Sequence, residues 1–258
     1  MTDGSVSDHD QAVKGRVEFK DVSFQYPDAA DDILHHISFE AGPGETVAII
    51  GSTGSGKSTL INLIPRFYDT TGGKVLVDGV DVKDYAQETL RRKIGYVSQR
   101  VVLFSGDVRS NVTYGDSDKT VGDEAVHAAI EVAQAEEFVS RMDGIYDAAI
   151  SQGGTNVSGG QRQRLSIARA VYRDPEIYIF DDSFSALDYK TDRALRKALK
   201  EKTKGATMLI VAQRIGTIMD ADRILVLEEG EIVGMGTHKE LIDSCAVYRE
   251  IAESQLSK

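Results

Sequence analysis

The chain has 258 residues, of which 41% are apolar and 28% charged, enough for one large α/β domain or for a core with a subdomain. Its net charge of −11 argues against nucleic-acid binding, which needs a basic stripe facing the phosphates, but is compatible with a nucleotide ligand. The single cysteine, Cys245, excludes an internal disulfide, and no apolar run approaches the ~20 residues that span a bilayer.

The apolar pattern alternates between stretches typical of strands and of helices. Residues 1–15 are rich in Asp, Ser and Gly, and we expect a disordered tail or the remnant of a linker there. Strands are predicted at 16–24, 37–40, 46–50, 74–77, 94–97, 177–180 and 208–212, with a hairpin of 224–227 and 231–235. Helices are predicted at 57–66, 123–142, 159–172 and 191–202. This order predicts a mostly parallel core sheet, with antiparallel strands at both ends of the chain.

A glycine-rich segment directly after the strand at 46–50 carries the first functional motif. The run from Gly51 to Ser58 fits a glycine, four residues and Gly-Lys-Ser, placed between a strand and a helix. Glycines let successive N–H groups converge on an anion, Lys57 would neutralise β- and γ-phosphate oxygens, and Ser58 would bind Mg²⁺. We therefore predict an ATP site formed by Gly51, Ser52, Thr53, Gly54, Ser55, Gly56, Lys57, Ser58 and Thr59.

The predicted strand at 177–180 ends in two acids, Asp181 and Asp182. Ligands of open α/β sheets lie at the carboxyl ends of the strands, so Asp181 is predicted to hold the magnesium ion through water. Paired acids in this position also occur as a helix N-cap and its neighbour. The phosphate-binding pattern upstream favours the magnesium role.

The segment Ser158-Gly-Gly-Gln161 opens a predicted helix with the pattern of a capping box. Two glycines in a first helical turn cost roughly 1 kcal/mol each, so they indicate that a group such as a phosphate approaches this backbone closely. Together with Val157, the segment resembles the signature motif of ATP-binding-cassette (ABC) ATPases. The signature residues are Val157, Ser158, Gly159, Gly160 and Gln161.

The resemblance to ABC ATPases covers residues 16–255 and extends to four further positions or segments. Tyr26 resembles the aromatic residue that stacks on adenine, with a core strand aromatic as the alternative. Gln99 resembles the Q-loop glutamine, a catalytic residue and a ligand of magnesium. Ser185 and Asp188 lie in a segment that resembles the D-loop, and Gln213 occupies the place of the switch histidine.

The resemblance implies a P-loop NTPase fold: a RecA-like, mostly parallel sheet with an antiparallel β subdomain and an α-helical signature subdomain at about 86–172. It implies ATP and Mg²⁺ as cofactors. Two such domains bind head to tail, so each signature closes over the ATP that its partner holds. Transmembrane domains, on the same full-length chain or on separate subunits, would attach the domain to the cytoplasmic face of the cell membrane and would export a substrate.

Three positions depart from the family pattern. Asp182 stands where the catalytic Glu is usual, Gln213 replaces the switch histidine, and residues 151–154 lack an acid found in many exporters. The chain therefore resembles the degenerate half of a heterodimeric exporter of the multidrug or lipid type, whose own site binds ATP with little hydrolysis. Two alternatives stay open: a homodimer with slow but real hydrolysis, and a regulatory module that binds nucleotide without turnover.

Overall fold

The computed structural model describes residues 2–7, 14–27, 29–115 and 122–256. Two compact units divide the chain. The first comprises Met1–Ile94, Glu176–Asp182 and Gly205–Lys258, and the second comprises Gly95–Pro175 and Ser183–Lys204. The second unit overlaps the helical subdomain expected at about 86–172 and adds a later stretch of chain. The functional division into domains stays a prediction.

The strands and helices have the following bounds. The strands are β1 (Val17–Phe24), β2 (Leu34–Ala41), β3 (Thr46–Gly51), β4 (Gly72–Val77), β5 (Val80–Asp81), β6 (Ile94–Val97), β7 (Gly106–Asp107), β8 (Ala149–Ile150), β9 (Ile177–Asp181), β10 (Thr207–Val211), β11 (Arg223–Glu228) and β12 (Glu231–Gly236). The helices are α1 (Lys57–Asn62), α2 (Gln87–Arg92), α3 (Val108–Val112), α4 (Asp123–Val132), α5 (Glu136–Val139), α6 (Gly159–Arg173), α7 (Tyr189–Lys202), α8 (Ile215–Ile218), α9 (His238–Ser244) and α10 (Ala246–Leu256). Short 3-10 helices lie at Ile145–Asp147 and Gln152–Gly154.

The core sheet has the strand order β12-β11-β3-β10-β9-β6. Strands β11, β3, β10 and β9 pair in parallel, and β12 pairs antiparallel with β11 as a hairpin. Every residue of β9 and β10 is buried, and all except Asp181 and Thr207 are apolar, as is typical of strands covered on both faces. The predicted parallel core sheet is confirmed, and its strand ends set the positions of the functional side chains.

A second sheet near the start of the chain is antiparallel, with the order β2-β1-β4-β5. Strands β1 and β2 alternate between buried and accessible residues over much of their length, as expected for a sheet packed on one face. Phe19 lies opposite Phe39 in the register, and their rings stack with centroids 4.7 Å apart. The predicted antiparallel strands at the start of the chain are confirmed.

Two helices end earlier than their sequence patterns predict. The helix expected at 57–66 ends at Asn62, and turns follow it up to Arg66, which has a φ of 54°. The helix predicted at 123–142 divides into α4 and α5, because Gln134 between them adopts a φ of 56°. A left-handed residue ends a helix, and apolar spacing alone does not reveal such a break.

The first residues of the chain lie against the segment that precedes α2. The Gly4 N–H donates to Tyr85 O at 3.1 Å, and the Val6 N–H donates to Asp84 O at 2.9 Å. Backbone hydrogen bonds therefore join residues 2–7 to this segment, and the expected disordered tail or linker remnant at residues 1–15 stays a prediction. Residues 8–13 lie outside the described residues. Across the described ranges, no helix combines the length and apolar character needed to cross a bilayer.

Candidate functional site

The loop between β3 and α1 follows a path that requires glycine at two positions. Gly51 lies opposite Leu227 in the register of β3 and β11, and a Cβ added there would lie 2.0 Å from Leu227 O. Gly56 precedes α1 with a φ of 97°, in the left-handed region, and an added Cβ would lie 2.8 Å from a methyl carbon of Leu34. The backbone of the loop is therefore fixed by its close neighbours.

Lys57 is the first residue of α1, and its ammonium group reaches back across the loop. Its Nζ donates to Gly51 O at 3.0 Å and to Ser52 O at 2.6 Å. Partial burial lowers the pKa of Lys57, while the charges of Asp181 and Asp182 oppose that shift. A partly buried cation thus lies over the loop whose glycines permit the approach of an anion.

Ser58 and Asp181 meet although they are far apart in the sequence. The Ser58 hydroxyl donates to Asp181 Oδ1 at 3.1 Å, and Asp181, the last residue of β9, is 7% exposed. Hydroxyl and carboxylate oxygens are hard ligands, and magnesium is usually bound through one or two carboxylates together with phosphates and water. The chemistry of this donor pair fits a nucleotide-bound Mg²⁺ ion.

Two of the three departures from the family pattern, Asp182 and Gln213, contact each other. Gln213 Nε2 donates to Asp182 Oδ2 at 2.9 Å, and the Asp182 N–H donates to Val211 O at 2.9 Å. Asp182 directly follows β9, and Gln213 lies just beyond the end of β10. These two strands are adjacent and parallel. Asp182 has a φ of 46°, a left-handed conformation that Asp tolerates better than most residues. A neutral amide therefore binds the carboxylate expected to act as the base.

Tyr26 packs among aromatic side chains next to the loop. Its ring meets Phe24 edge to face at 4.8 Å and Tyr68 at 5.1 Å, and its hydroxyl lies 3.0 Å from Thr59 Oγ1. These contacts fix the ring beside the first turn of α1. Stacking of adenine on Tyr26 stays a prediction.

In the second unit, the capping box at the start of α6 forms as predicted. The Ser158 N–H donates to Gln161 Oε1 at 2.8 Å, and the Gln161 N–H donates to Ser158 Oγ at 3.2 Å. The two glycines between them differ in surroundings. A Cβ added at Gly160 would lie 3.3 Å from Ala186 O, whereas one added at Gly159 would meet nothing closer than 3.9 Å. Close packing against Ala186 therefore explains why residue 160 is a glycine. Of the two glycines, Gly159 is the one whose backbone is open to an approaching group among the described residues.

The loops before α6 and before α7 carry the remaining features of the second unit. Arg162 ties the turn before the signature together, donating to Gly154 O at 3.1 Å and to Val157 O at 3.0 Å. Asp188 is the N-cap of α7, and hydrogen bonds from the Thr191 backbone and hydroxyl lower the pKa of Asp188. Gln99 and Ser185 are exposed, and the roles of Gln99, Ser185 and Asp188 stay predictions.

The sequence did not predict one contact near Gln213. Gln255 of α10 hydrogen-bonds the backbone on both sides of Arg214. No pattern around residue 255 indicates this contact, because a single exposed glutamine near a helix end carries no motif.

Comparisons with known proteins agree on a family. A model of the ABC transporter family matches residues 34–185. An uncharacterised ABC transporter ATP-binding protein of Mycobacterium tuberculosis is 50% identical over 244 residues, which cover 94% of this chain and 42% of the relative. An ATP-dependent lipid A-core flippase of Vibrio vulnificus is 43% identical over 248 residues, covering 96% of this chain and 42% of the flippase.

A solved structure of a bacterial Atm1-family ABC exporter with ATP bound is also similar to this chain. The TM-score is 0.91 with 35% sequence identity, covering 99% of this chain and 44% of the exporter chain. The chain thus spans less than half the length of each of these three relatives.

Proposed function

Because the chain belongs to the ABC transporter family, we propose that it is the ATP-binding domain of an exporter and that it cleaves ATP poorly at its own site. The domain binds ATP with Mg²⁺ and pairs head to tail with a second ABC domain. Transmembrane domains attach it to the cytoplasmic face of a membrane. The names of the flippase and of the Atm1-family exporter support the direction of transport.

The observation that carries ATP binding is the arrangement of Lys57, Ser58 and Asp181 around the loop. A partly buried ammonium group lies over the loop, and a hydroxyl and a carboxylate 3.1 Å apart offer ligands for magnesium. The terminal phosphates would lie at residues 51–58, with Mg²⁺ between Ser58 and Asp181 and the adenine near Tyr26. Titration calorimetry of the purified chain tests this, and no heat of binding at millimolar Mg-ATP would refute it.

The contact between Asp182 and Gln213 supports poor cleavage. Asp is one methylene shorter than the usual Glu, about 1.5 Å of reach, and a misplacement of about 1 Å can cost around 10²-fold in rate. Gln213 binds this carboxylate through a neutral amide and cannot carry a positive charge. Neither change touches Lys57, Ser58 or Asp181. The site therefore keeps its affinity for ATP and loses the groups that activate water.

The signature at 157–161 is proposed to act on the ATP of the partner domain. Its capping box is complete, and the open backbone at Gly159 lets a phosphate approach the start of α6. The partner then carries Glu and His where this chain has Asp182 and Gln213, and most hydrolysis takes place at the partner's phosphate loop.

The ATPase activity of the assembled full-length transporter tests this division of labour. Ser158→Ala combined with Gly159→Asp removes the cap and adds an anion in open space, so turnover should be abolished. Asp182→Asn should cost little, whereas removal of a well-placed general base costs roughly 10²–10⁴-fold. Gly159→Ala adds a Cβ without a charge, so it separates obstruction of the phosphate's approach from repulsion by the added anion.

Two alternatives predict other results in the same assay. A homodimer with slow hydrolysis would be silenced by Asp182→Asn as thoroughly as by the signature variant, and the degenerate half would then be wrong. A regulatory module would bind ATP and show no turnover even with its partner domain present.

A further inference from the structure

The side-chain amide of Gln255 joins α10 to the chain segment that carries Gln213. Gln255 Nε2 donates to Gln213 O at 2.7 Å, and the Ile215 N–H donates to Gln255 Oε1 at 2.8 Å. The two bonds lie on either side of Arg214. One planar amide therefore fixes the backbone before and after a single residue.

These bonds replace a missing cap. The N-cap of α8 is Arg214, which makes no side-chain capping bond, and the first N–H groups of a helix have no partner within it. Gln255 supplies the acceptor for the Ile215 N–H from another helix. On the other side of Gln213, the Ala212 N–H donates to Ile49 O at 3.2 Å. The segment that carries Gln213 is thus held at both ends.

The helix that carries Gln255 is itself firmly anchored. Tyr248 and Ala252 lie on its inner face and are 0% and 1% exposed. Gln255 is one turn beyond Ala252, where it reaches the segment without being buried. Through Gln255, the buried helix α10 is therefore joined to the backbone of Gln213.

We propose that Gln255 is a positioning residue for Gln213, which occupies the place of the switch histidine. Gln255 holds the backbone of Gln213 so that the Gln213 amide reaches Asp182 and the terminal phosphate of ATP. The contact with phosphate rests on the proposed function. The clamp, meaning the two hydrogen bonds of Gln255 with Gln213 O and the Ile215 N–H, rests on geometry alone. Through this residue, α10 affects how strongly the unit prefers ATP over ADP.

Hydrogen exchange in the nucleotide-free chain tests the clamp. Gln255→Ala should speed exchange of the Ile215 amide about fivefold, since a typical net hydrogen bond is lost. Gln255→Glu keeps an acceptor for Ile215 and should preserve its protection. Ser254→Ala is the matched control, because the neighbouring Ser254 hydroxyl donates to Ile251 O of its own helix rather than to the segment around Arg214. Unchanged exchange at Ile215 in Gln255→Ala would overturn the clamp.

Calorimetry with ATP and ADP tests the consequence for the site. Gln255→Ala and Gln255→Glu should both lower the ratio of ATP to ADP affinity, by about fivefold. In a Gln213→Ala background neither should lower it further, because the effect passes through Gln213.

Equal losses of ATP and ADP affinity, or a loss that persists in the Gln213→Ala background, would mean a purely structural role and would overturn the proposal. Failure of the unmodified chain to bind ATP would refute the proposed function together with the switch role. Exchange at Ile215 would still report the clamp by itself.

Discussion

The groups proposed to hold ATP and those proposed to activate water lie at the ends of neighbouring strands, yet they are built differently. Lys57 is tied to two carbonyls of its loop, and Ser58 is tied to the buried Asp181. Asp182 and the exposed Gln213 instead bind each other. In the proposed function, affinity for nucleotide and capacity for cleavage therefore depend on separate side chains, so one can be lost while the other is kept.

The largest expected effect concerns the holding groups. Lys57→Ala removes the cation over the loop, and charge-assisted hydrogen bonds to phosphate are among the strongest in proteins, so ATP affinity should fall about 10²-fold. Titration calorimetry measures the change. Lys74→Ala, which removes an exposed lysine from β4, should leave the affinity unchanged. Equal affinity for the Lys57→Ala variant and the parent chain would erase the contrast between the two sets of groups.

A smaller effect is expected from restoring the water-activating pair. Asp182→Glu combined with Gln213→His lengthens the acid by about 1.5 Å and adds a group that can be charged, so turnover at this site should rise about tenfold. The left-handed backbone at residue 182 limits the gain, since Glu tolerates it less well than Asp. The measurement is ATPase activity of the full-length transporter whose partner site has been silenced.

Asp182→Gln with Gln213→His is the control for that experiment, because it keeps the length of Glu without its charge. If the control gains as much turnover as the restored pair, a general base at 182 is not what limits cleavage.

The smallest effect is a dependence on pH. Burial lowers the pKa of Lys57, and ATP binds its charged form, so affinity should be constant at low pH and decline as pH rises toward that pKa. We expect this decline to begin at lower pH than an ordinary exposed lysine would give. Lys57→Arg stays charged throughout and should show a flat profile in the same calorimetric titrations. A decline of equal size in Lys57→Arg would assign the effect to another group.

Motifs whose residues lie within a few positions of each other were predictable from the sequence. The capping box of Ser158 and Gln161 forms as expected, because it depends on three residues of local helix geometry. The glycine loop after β3 was predictable for the same reason. The break at Gln134 was not, because apolar spacing continues through a residue that ends a helix.

The sequence by itself determined the family motifs, the parallel core sheet and the identity of the unusual residues at 182 and 213. Only the tertiary structure decided that those two residues bind each other and that Gln255 hydrogen-bonds the backbone on both sides of Arg214. It also decided that a Cβ at Gly160 would lie 3.3 Å from Ala186 O, whereas one at Gly159 would lie 3.9 Å from the Arg162 side chain. The reason is distance along the chain. Local hydrogen bonds follow from residue type and spacing, whereas contacts across 31 to 42 residues depend on strand order and helix packing, which no short pattern specifies.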